Sequence, residues 1–317
     1  MEAFKILITG VTGFIGSNVA GHLANENHEI YGVSRNERNN WRLEDQKDRI
    51  RLVGSDVSSY ERTYSTVENI KPDGIIHCAQ YGAYPTEKSS KAMFDTNVGG
   101  LFNILDVSTK FHVNWLINCG TSFEYSGSKE SIAESFSSNP NSCYGISKAT
   151  GSSMMDLYSK ILNTKLMTLR IFQAYGPFEP KGRLAPYLLY NLINNLDINL
   201  NNPYLERDFV YIKDIATAFS KAIRVIDELE TYEIINIGTG TYTSIHDFAN
   251  IGKKVIDSSS HISVGSSASK PEDRVDRIYA DISKARKLLN WFPKFQVMDG
   301  IKDFSIWMKD KLDYYRE

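Results

Sequence analysis

Cysteine is scarce in this sequence. The 317 residues hold three, Cys78, Cys119 and Cys143, with no spacing that would gather a metal ion. Two of them stand in apolar, strand-like runs and read as buried thiols, and the set suits a reducing cytoplasm. The six histidines are scattered, so no metal site is expected. Excess charge is lacking too: 36 Lys and Arg stand against 38 Asp and Glu, a net charge of −2, with no long basic run. That excludes a general electrostatic pull toward nucleic acid or an anionic membrane surface. No eighteen-residue apolar stretch occurs, so no membrane partner is expected. The chain enters a strand-like run almost at once, so no signal peptide is expected. There is no internal repeat, and the only compositionally biased segment is a short Ser-rich stretch near 258–269. What remains, 42% hydrophobic and 23% charged, is the composition of an ordinary globular protein long enough for two lobes around one cleft.

The informative stretch is the first strand and the turn after it. Lys5-Ile-Leu-Ile-Thr9 is an apolar run, followed by Gly10, Gly13 and Gly16 and then a helical pattern with Ile15, Val19, Ala20 and Leu23 on one face. A strand, a turn with glycines three apart and a helix form a unit suited to binding a dinucleotide pyrophosphate. Gly10 permits the tight turn, Gly13 keeps a Cβ from between backbone and phosphates, and Gly16 lets the helix pack closely. The helix start then offers unpaired N–H groups to an anion.

Strand-like runs continue at Glu29–Val33, Ile50–Val53, Gly74–Cys78, Trp115–Cys119 and Leu166–Ile171. Helical segments lie near 59–70, 91–111 and 143–163. This alternation predicts an α/β fold: a doubly wound parallel sheet covered on both faces, with ligands at the carboxyl ends of its strands. After Phe172 comes a turn-rich loop, Ala174–Arg183, then an apolar helix over Leu184–Ile193 and an Asn-rich stretch to Pro203. Phe209–Ile212 and Glu233–Ile237 read as strands that rejoin the first sheet, with a helix around 214–226 between them. The segment from 241 onward reads as mixed α/β with two final helices. The expected division is a dinucleotide-binding domain over 1–173 plus 208–240, and a smaller, discontinuous substrate lobe over 174–207 plus 241–317.

The second strand ends Gly32-Val-Ser34-Arg35-Asn36, with Arg38 beyond and no carboxylate at the tip. Ser34 and Arg35 suit a 2′-phosphate, which favours NADP over NAD. Asp56 and Val57, after the third strand, suit an adenine edge, although Asp56 equally suits a helix cap. Tyr144 and Lys148 lie four apart at the start of a helical segment, hence on one face. A free tyrosine titrates near ~10, and a neighbouring ammonium lowers that value toward useful acid–base chemistry. Thr121, at the end of another strand, sets a hydroxyl toward the same cleft.

In this order, the glycine loop, Thr121, and Tyr144-xxx-Lys148 resemble the extended short-chain dehydrogenase/reductase family of nucleotide-sugar epimerases, dehydratases and reductases. The resemblance runs nearly end to end. It also includes His77-Cys-Ala79, Asn97-Val-Gly-Gly-Leu-Phe-Asn103, Leu169-Arg-Ile-Phe-Gln-Ala-Tyr-Gly-Pro177, Arg207-Asp-Phe-Val-Tyr-Ile-Lys-Asp214, Asn236-Ile-Gly238, Tyr279-Ala-Asp281 and Ala285-xxxx-Asn290-Trp291. It implies a Rossmann-type domain, a nucleotide-diphosphate-sugar substrate, often a homodimer, and Thr121, Tyr144 and Lys148 as the catalytic trio. On the coenzyme it implies Gly10, Thr12, Gly13, Phe14, Ile15, Gly16, Ser34, Arg35, Asn36, Arg38, Asp56, Val57, Cys78, Ala79, Gln80, Asn97, Cys119, Tyr144, Lys148 and Phe172. On the substrate it implies Tyr81, Tyr84, Thr121, Ser122, Phe123, Gln173, Tyr187, Arg207 and Arg274, with Gln80 also bordering the sugar.

Two departures narrow the chemistry. The Asp-Glu pair that serves sugar 4,6-dehydratases after the threonine is replaced by Ser122 and Phe123. Glu124 stands one residue later, where strand alternation turns it away. The late arginine of the family is not clearly placed, with Lys270, Arg274 and Arg277 as substitutes. The loss of the dehydratase acids and the basic tip at Ser34-Arg35 favour an NADPH-dependent reductase of a nucleotide-linked 4-keto sugar. The alternative is a redox-neutral, NAD-dependent 4-epimerase using the same trio. A dinucleotide sensor without turnover is disfavoured by the presence of both Tyr144 and Lys148.

Overall fold

A computed structural model describes residues 3–36, 40–84, 86–125, 127–128, 130–161, 163–230, 232–265 and 277–315. Arg38, Lys270 and Arg274 lie outside the described residues. The first half runs β1 (Lys5–Thr9), α1 (Phe14–Asn25), β2 (Glu29–Ser34), β3 (Ile50–Gly54), α2 (Tyr60–Ile70), β4 (Gly74–His77), α3 (Ser90–Phe94), α4 (Gly100–Lys110), β5 (Trp115–Thr121) and α5 (Cys143–Ser159). There follow β6 (Lys165–Ile171), β7 (Gln173–Tyr175), α6 (Leu184–Ile193), β8 (Ile198–Leu200), β9 (Glu206–Arg207), β10 (Phe209–Tyr211), α7 (Ile212–Val225) and β11 (Glu233–Ile237). The chain continues through β12 (Thr243–Ser244), α8 (Ile245–Ile256), β13 (Ile262–Val264), β14 (Arg277–Ile278), α9 (Ser283–Leu289) and α10 (Val297–Asp310).

Seven strands form one parallel sheet in the order β11-β6-β5-β4-β1-β2-β3. The chain winds outward from β1 in one direction, then returns to β4 and winds outward in the other, so the fold is the doubly wound, Rossmann-type α/β arrangement. The two windings diverge between β1 and β4, which opens a crevice at the carboxyl ends of those strands. The central strands are buried on both faces: all four residues of β4 and all seven of β5. Continuous apolar runs such as Gly74-Ile-Ile and Trp115-Leu-Ile are what such strands require. Alternation sends Ile8, Ile76, Ile117 and Leu169 into one core with Val19 and Leu23 of α1 and Ile215 and Phe219 of α7. Leu7, Ile75, Leu116 and Leu166 enter the other core, with Val67 of α2, Ile104 of α4 and Met155 of α5.

Two expectations are corrected. The segment expected to be helical over 91–111 is broken: residues Asp95–Gly99 form a π-helical turn between α3 and α4, a wider winding that often marks a functional position. Phe209–Tyr211 does not rejoin the large sheet. The edge of β6 is taken by β11. The chain leaves the sheet after Phe172, and β10 pairs in parallel with β7 in a separate ribbon. Beyond it, β9 pairs with β12 and β14 in a mixed sheet, and β8 with β13. Phe209 and Phe248 stack at 4.3 Å between ring centroids, tying α8 to this ribbon. Among the described residues, no helix is long and apolar enough to cross a membrane.

Candidate active site

The glycine turn has the geometry its spacing predicts. Gly10 adopts φ +65°, and a Cβ there would lie 2.7 Å from the Ala79 backbone. A Cβ on Gly16 would lie 2.3 Å from the Gly10 carbonyl oxygen. The turn is therefore folded onto β4 and onto its own helix, and a side chain at either position would force it apart. Helix α1 opens with no side-chain cap and no acidic residue in its first turn. Its N-terminal N–H groups and positive dipole end thus remain for an anion. These residues fit a dinucleotide pyrophosphate.

The turn forms one end of a cavity of about 1380 Å³, larger than the ~300–1,000 Å³ of most small-molecule sites. Of the expected coenzyme contacts, Gly10, Thr12, Gly13, Phe14, Ile15, Gly16, Ser34, Arg35, Asn36, Asp56, Val57, Cys78, Ala79, Gln80, Cys119, Tyr144 and Phe172 all line it. So do Tyr84, Thr121, Phe123, Gln173, Tyr187 and Arg207 among the expected substrate contacts. One cavity thus runs from the glycine turn across the ends of β4 and β5 to the ribbon and α6.

Four expected contacts are not on its wall. Asn97 sits in the π turn. Its side chain accepts from Tyr81 N (2.8 Å) and donates to Tyr81 O (2.9 Å) and to Ser147 Oγ (2.9 Å). The wider turn points this amide inward, and it fastens the post-β4 loop to α5 instead of meeting a ligand. Tyr81, held by that clasp, is also off the wall. Ser122 is buried as the first residue of a short 3₁₀ turn. Lys148 is buried, one helical turn beyond Tyr144 on α5.

Asp56 does not cap α2. Its carboxylate accepts from Ser58 N (3.0 Å) and Ser58 Oγ (2.8 Å), and Ser59 supplies the cap. Ser34 Oγ is held in a turn with Asn36, donating to its carbonyl oxygen (3.1 Å), and lies 3.3 Å from Thr12 Oγ1.

Thr121 ends β5 and caps the turn that follows, accepting from Phe123 N at 3.4 Å. Its hydroxyl proton is left for a second partner, and its side chain is one of the groups that favour the ionised Tyr144. Tyr144 Oη donates to Gln80 Oε1 at 2.9 Å. The Phe123 ring meets the Tyr144 ring edge-on, with centroids 6.2 Å apart. The expectation that Lys148 lowers the tyrosine is corrected. Desolvation is the largest influence and pushes the Tyr144 phenol well above its ordinary value, and Arg183 is the cation that opposes it. The charge of Lys148 falls instead on His77, Cys78 and Cys119, at the ends of β4 and β5.

Glu124 does turn away from the cavity, but in a 3₁₀ turn and not by strand alternation. Fully buried, it accepts from Thr121 N (3.0 Å), Ser152 Oγ (2.5 Å) and Arg170 Nε (2.8 Å). One carboxylate thereby joins the ends of β5 and β6 to α5 and sets the backbone of Thr121.

Sequence reasoning missed several wall residues. Arg42, outside every motif, donates to Thr12 O (3.1 Å) and Phe178 O (2.8 Å) beside the glycine turn. Arg183 was visible only as the end of a turn-rich loop. It donates to Ala83 O at 2.9 Å and pairs with Glu179 at 3.5 Å. Asn199, Asn201 and Asn202, in the Asn-rich stretch, line the far end. Arg207 also lines that end, whereas Arg277 is bound to the Glu206 carboxylate and lies over the Tyr242 ring at 3.9 Å.

The sequence model of the NAD dependent epimerase/dehydratase family matches residues 6–238, which span every element from β1 to β11. The chain belongs to that family. It is therefore an NAD(P)-dependent enzyme. It is similar along its length to a putative UDP-glucose 4-epimerase of Methanocaldococcus jannaschii, 29% identical over 96% of this chain and 98% of the relative. A UDP-glucuronate 4-epimerase of Thermodesulfobacterium geofontis is 27% identical over 97% of each chain. The fold is shared with the UDP-glucuronic acid 4-epimerase of Bacillus cereus, solved with UDP-glucuronic acid and NAD. That similarity has a TM-score of 0.86, with 23% identity over 97% of this chain and 99% of that one.

Proposed function

We propose that this protein is a redox-neutral, NAD-dependent 4-epimerase of a UDP-linked sugar. One observation carries the chemistry: Thr121 and Tyr144 line one cavity, and Glu124, the acid closest in sequence to Thr121, is locked away by Arg170. The trio can move a proton on and off one sugar oxygen, and no second acid faces it to drive an elimination. The full-length relatives named for 4-epimerisation support this reading over the reductase favoured by the sequence. The NADP preference rested on Arg35, which lines the cavity, together with Ser34. Its hydroxyl is engaged with the Asn36 backbone, and the B. cereus neighbour was solved with NAD.

When bound, the dinucleotide supplies the nicotinamide that takes hydride from C4 and gives it back. Everything else falls to the chain. Thr121 donates to the C4 oxygen and holds it against Tyr144. Tyr144 first loses its own proton to solvent; as the phenolate it exchanges its Gln80 partner for that oxygen, accepts the C4 hydroxyl proton as the carbon is oxidised, and returns it after the keto sugar has turned. Lys148 and Arg183 set the positive potential around the exchange. Arg207 and the Asn199–Asn202 stretch hold the diphosphate and base at the far end. The protein is proposed to act as a homodimer, by analogy with its family.

Coenzyme accounting tests the reading. The purified protein is denatured, the released dinucleotide identified, and intact protein incubated with UDP-hexoses and UDP-hexuronates. Released NAD and interconversion of two C4 epimers without net coenzyme consumption are expected. Empty protein that consumes NADPH one-for-one with a nucleotide-linked keto sugar would replace this reading with the reductase.

A further inference from the structure

Two of the three cysteines stand side by side where neighbouring strands end, Cys78 just past β4 and Cys119 in β5. In the pairing of β4 with β5, His77 stands opposite Asn118, so the next positions in register are Cys78 and Cys119. Opposed residues of a parallel pair project to the same face, from backbones about 4.8 Å apart. That separation lies within the ~4.4–6.8 Å between Cα atoms that a disulfide spans. The two thiols bear on each other's protonation, and both residues line the cavity. They lie where the Gly10 turn meets Ala79 and where β5 leads to Thr121. The proposed proton transfers use neither thiol.

We propose that Cys78 and Cys119 are a reversible oxidation site in the coenzyme end of the cavity, converted to a disulfide by a hydroperoxide and shielded by a bound dinucleotide. The roles of the two thiols differ. The neighbouring Cys78 thiol favours Cys119 as the thiolate; the Lys148 ammonium acts in the same direction, while burial and Glu124 oppose it. The Cys119 neighbour and burial keep Cys78 protonated.

Cys119 therefore attacks the peroxide. Its sulfur bonds to one oxygen as the O–O bond breaks, giving a sulfenic acid and releasing the other oxygen as water or an alcohol. Cys78 sulfur then displaces the sulfenic oxygen, forming the S–S bond and releasing water with the Cys78 proton. The two sulfurs lose two electrons and the hydroperoxide gains them. Cys143 is exposed, near Ser90 Oγ at 3.6 Å, and is not part of the pair.

The test is peptide mapping after mild treatment with hydrogen peroxide. Protein as purified and protein depleted of dinucleotide on charcoal are treated alike, with the dinucleotide content of each measured first. After alkylation and digestion, the depleted protein should yield a linked Cys78–Cys119 peptide, two hydrogens lighter than the separate peptides and reversed by dithiothreitol. With NAD added back at about ten times its dissociation constant, linkage should slow about tenfold, in step with the unliganded fraction. In Cys78→Ala, or in Cys78→Ser if the first variant folds poorly, the link should vanish and dimedone should label Cys119. Oxidation of Cys143 alone, conversion of Cys119 to sulfinic acid without a link, or equal linkage with and without NAD would overturn the proposal. The readout is a covalent map, so it stands or falls independently of which sugar reaction the enzyme performs.

Discussion

Tyr144 carries the proton of the proposed reaction, and its surroundings hold it as a neutral phenol. Desolvation raises it, Gln80 accepts its hydrogen bond, and Arg183 and Thr121 pull the other way. A substrate C4 oxygen must displace Gln80 before Tyr144 can act on it. Tyr144→Phe keeps the ring against Phe123 and removes only the exchangeable proton. Turnover should fall by about 10²–10⁴, while dinucleotide affinity measured by fluorescence titration stays unchanged. Equal loss of both would assign the tyrosine to coenzyme binding. A second residue makes a stability prediction. Burial pushes the Glu179 carboxyl up to about 7, against the opposing pull of Arg183, and one of its oxygens has no partner. An acid raised in the folded state binds its proton more tightly there than in the unfolded chain. Stability is therefore lost as pH rises from about 4.5 to about 7 and is flat beyond. Glu179→Gln should remove that slope and be more stable than the parent at pH 8 by on the order of 3 kcal/mol, with little difference at pH 4.5. Parallel urea-unfolding midpoints across this range would contradict it.

At the scale of elements, the ends of β5, β6 and α5 are joined by Glu124 and Arg170, both buried. Removing one partner leaves the other charge unpaired. Glu124→Gln or Arg170→Met alone should cost about 3–5 kcal/mol in urea unfolding. The double variant should cost less than the sum of the two. Strict additivity would show that the pair does not couple these elements. The same elements show how far the sequence could be read. Parallel strands announce themselves as unbroken apolar runs, and the β1 turn as glycines that admit no side chain, so sheet and turn were legible. Glu124 is turned away as expected, but by a 3₁₀ turn over Ser122–Glu124 and its bond to Arg170, not by strand alternation. The fate of Phe209–Tyr211 was not legible, because an apolar triplet does not say which edge it will find. Nor was the π turn, which depends on where Asn97 finds its partners. Arg42 and Arg183 reach the cavity from irregular loops, where no periodicity marks a direction.

For the whole molecule, one continuous cavity joins the glycine turn to the Arg207 end, which places the proposed hydride and proton transfers in one cleft at the carboxyl edge of the sheet. That geometry suits a cycle in which nothing leaves between oxidation and reduction. The most direct test uses a UDP-sugar carrying deuterium at C4. A UDP-hexose or UDP-hexuronate accepted by the enzyme is converted, and the C4 epimer is examined by NMR and mass spectrometry. Retention of the label at C4 in the inverted product, with no deuterium released and no net change in coenzyme, is the expected result. Loss of the label, or product formed only while NADPH is consumed, would contradict a redox-neutral epimerase.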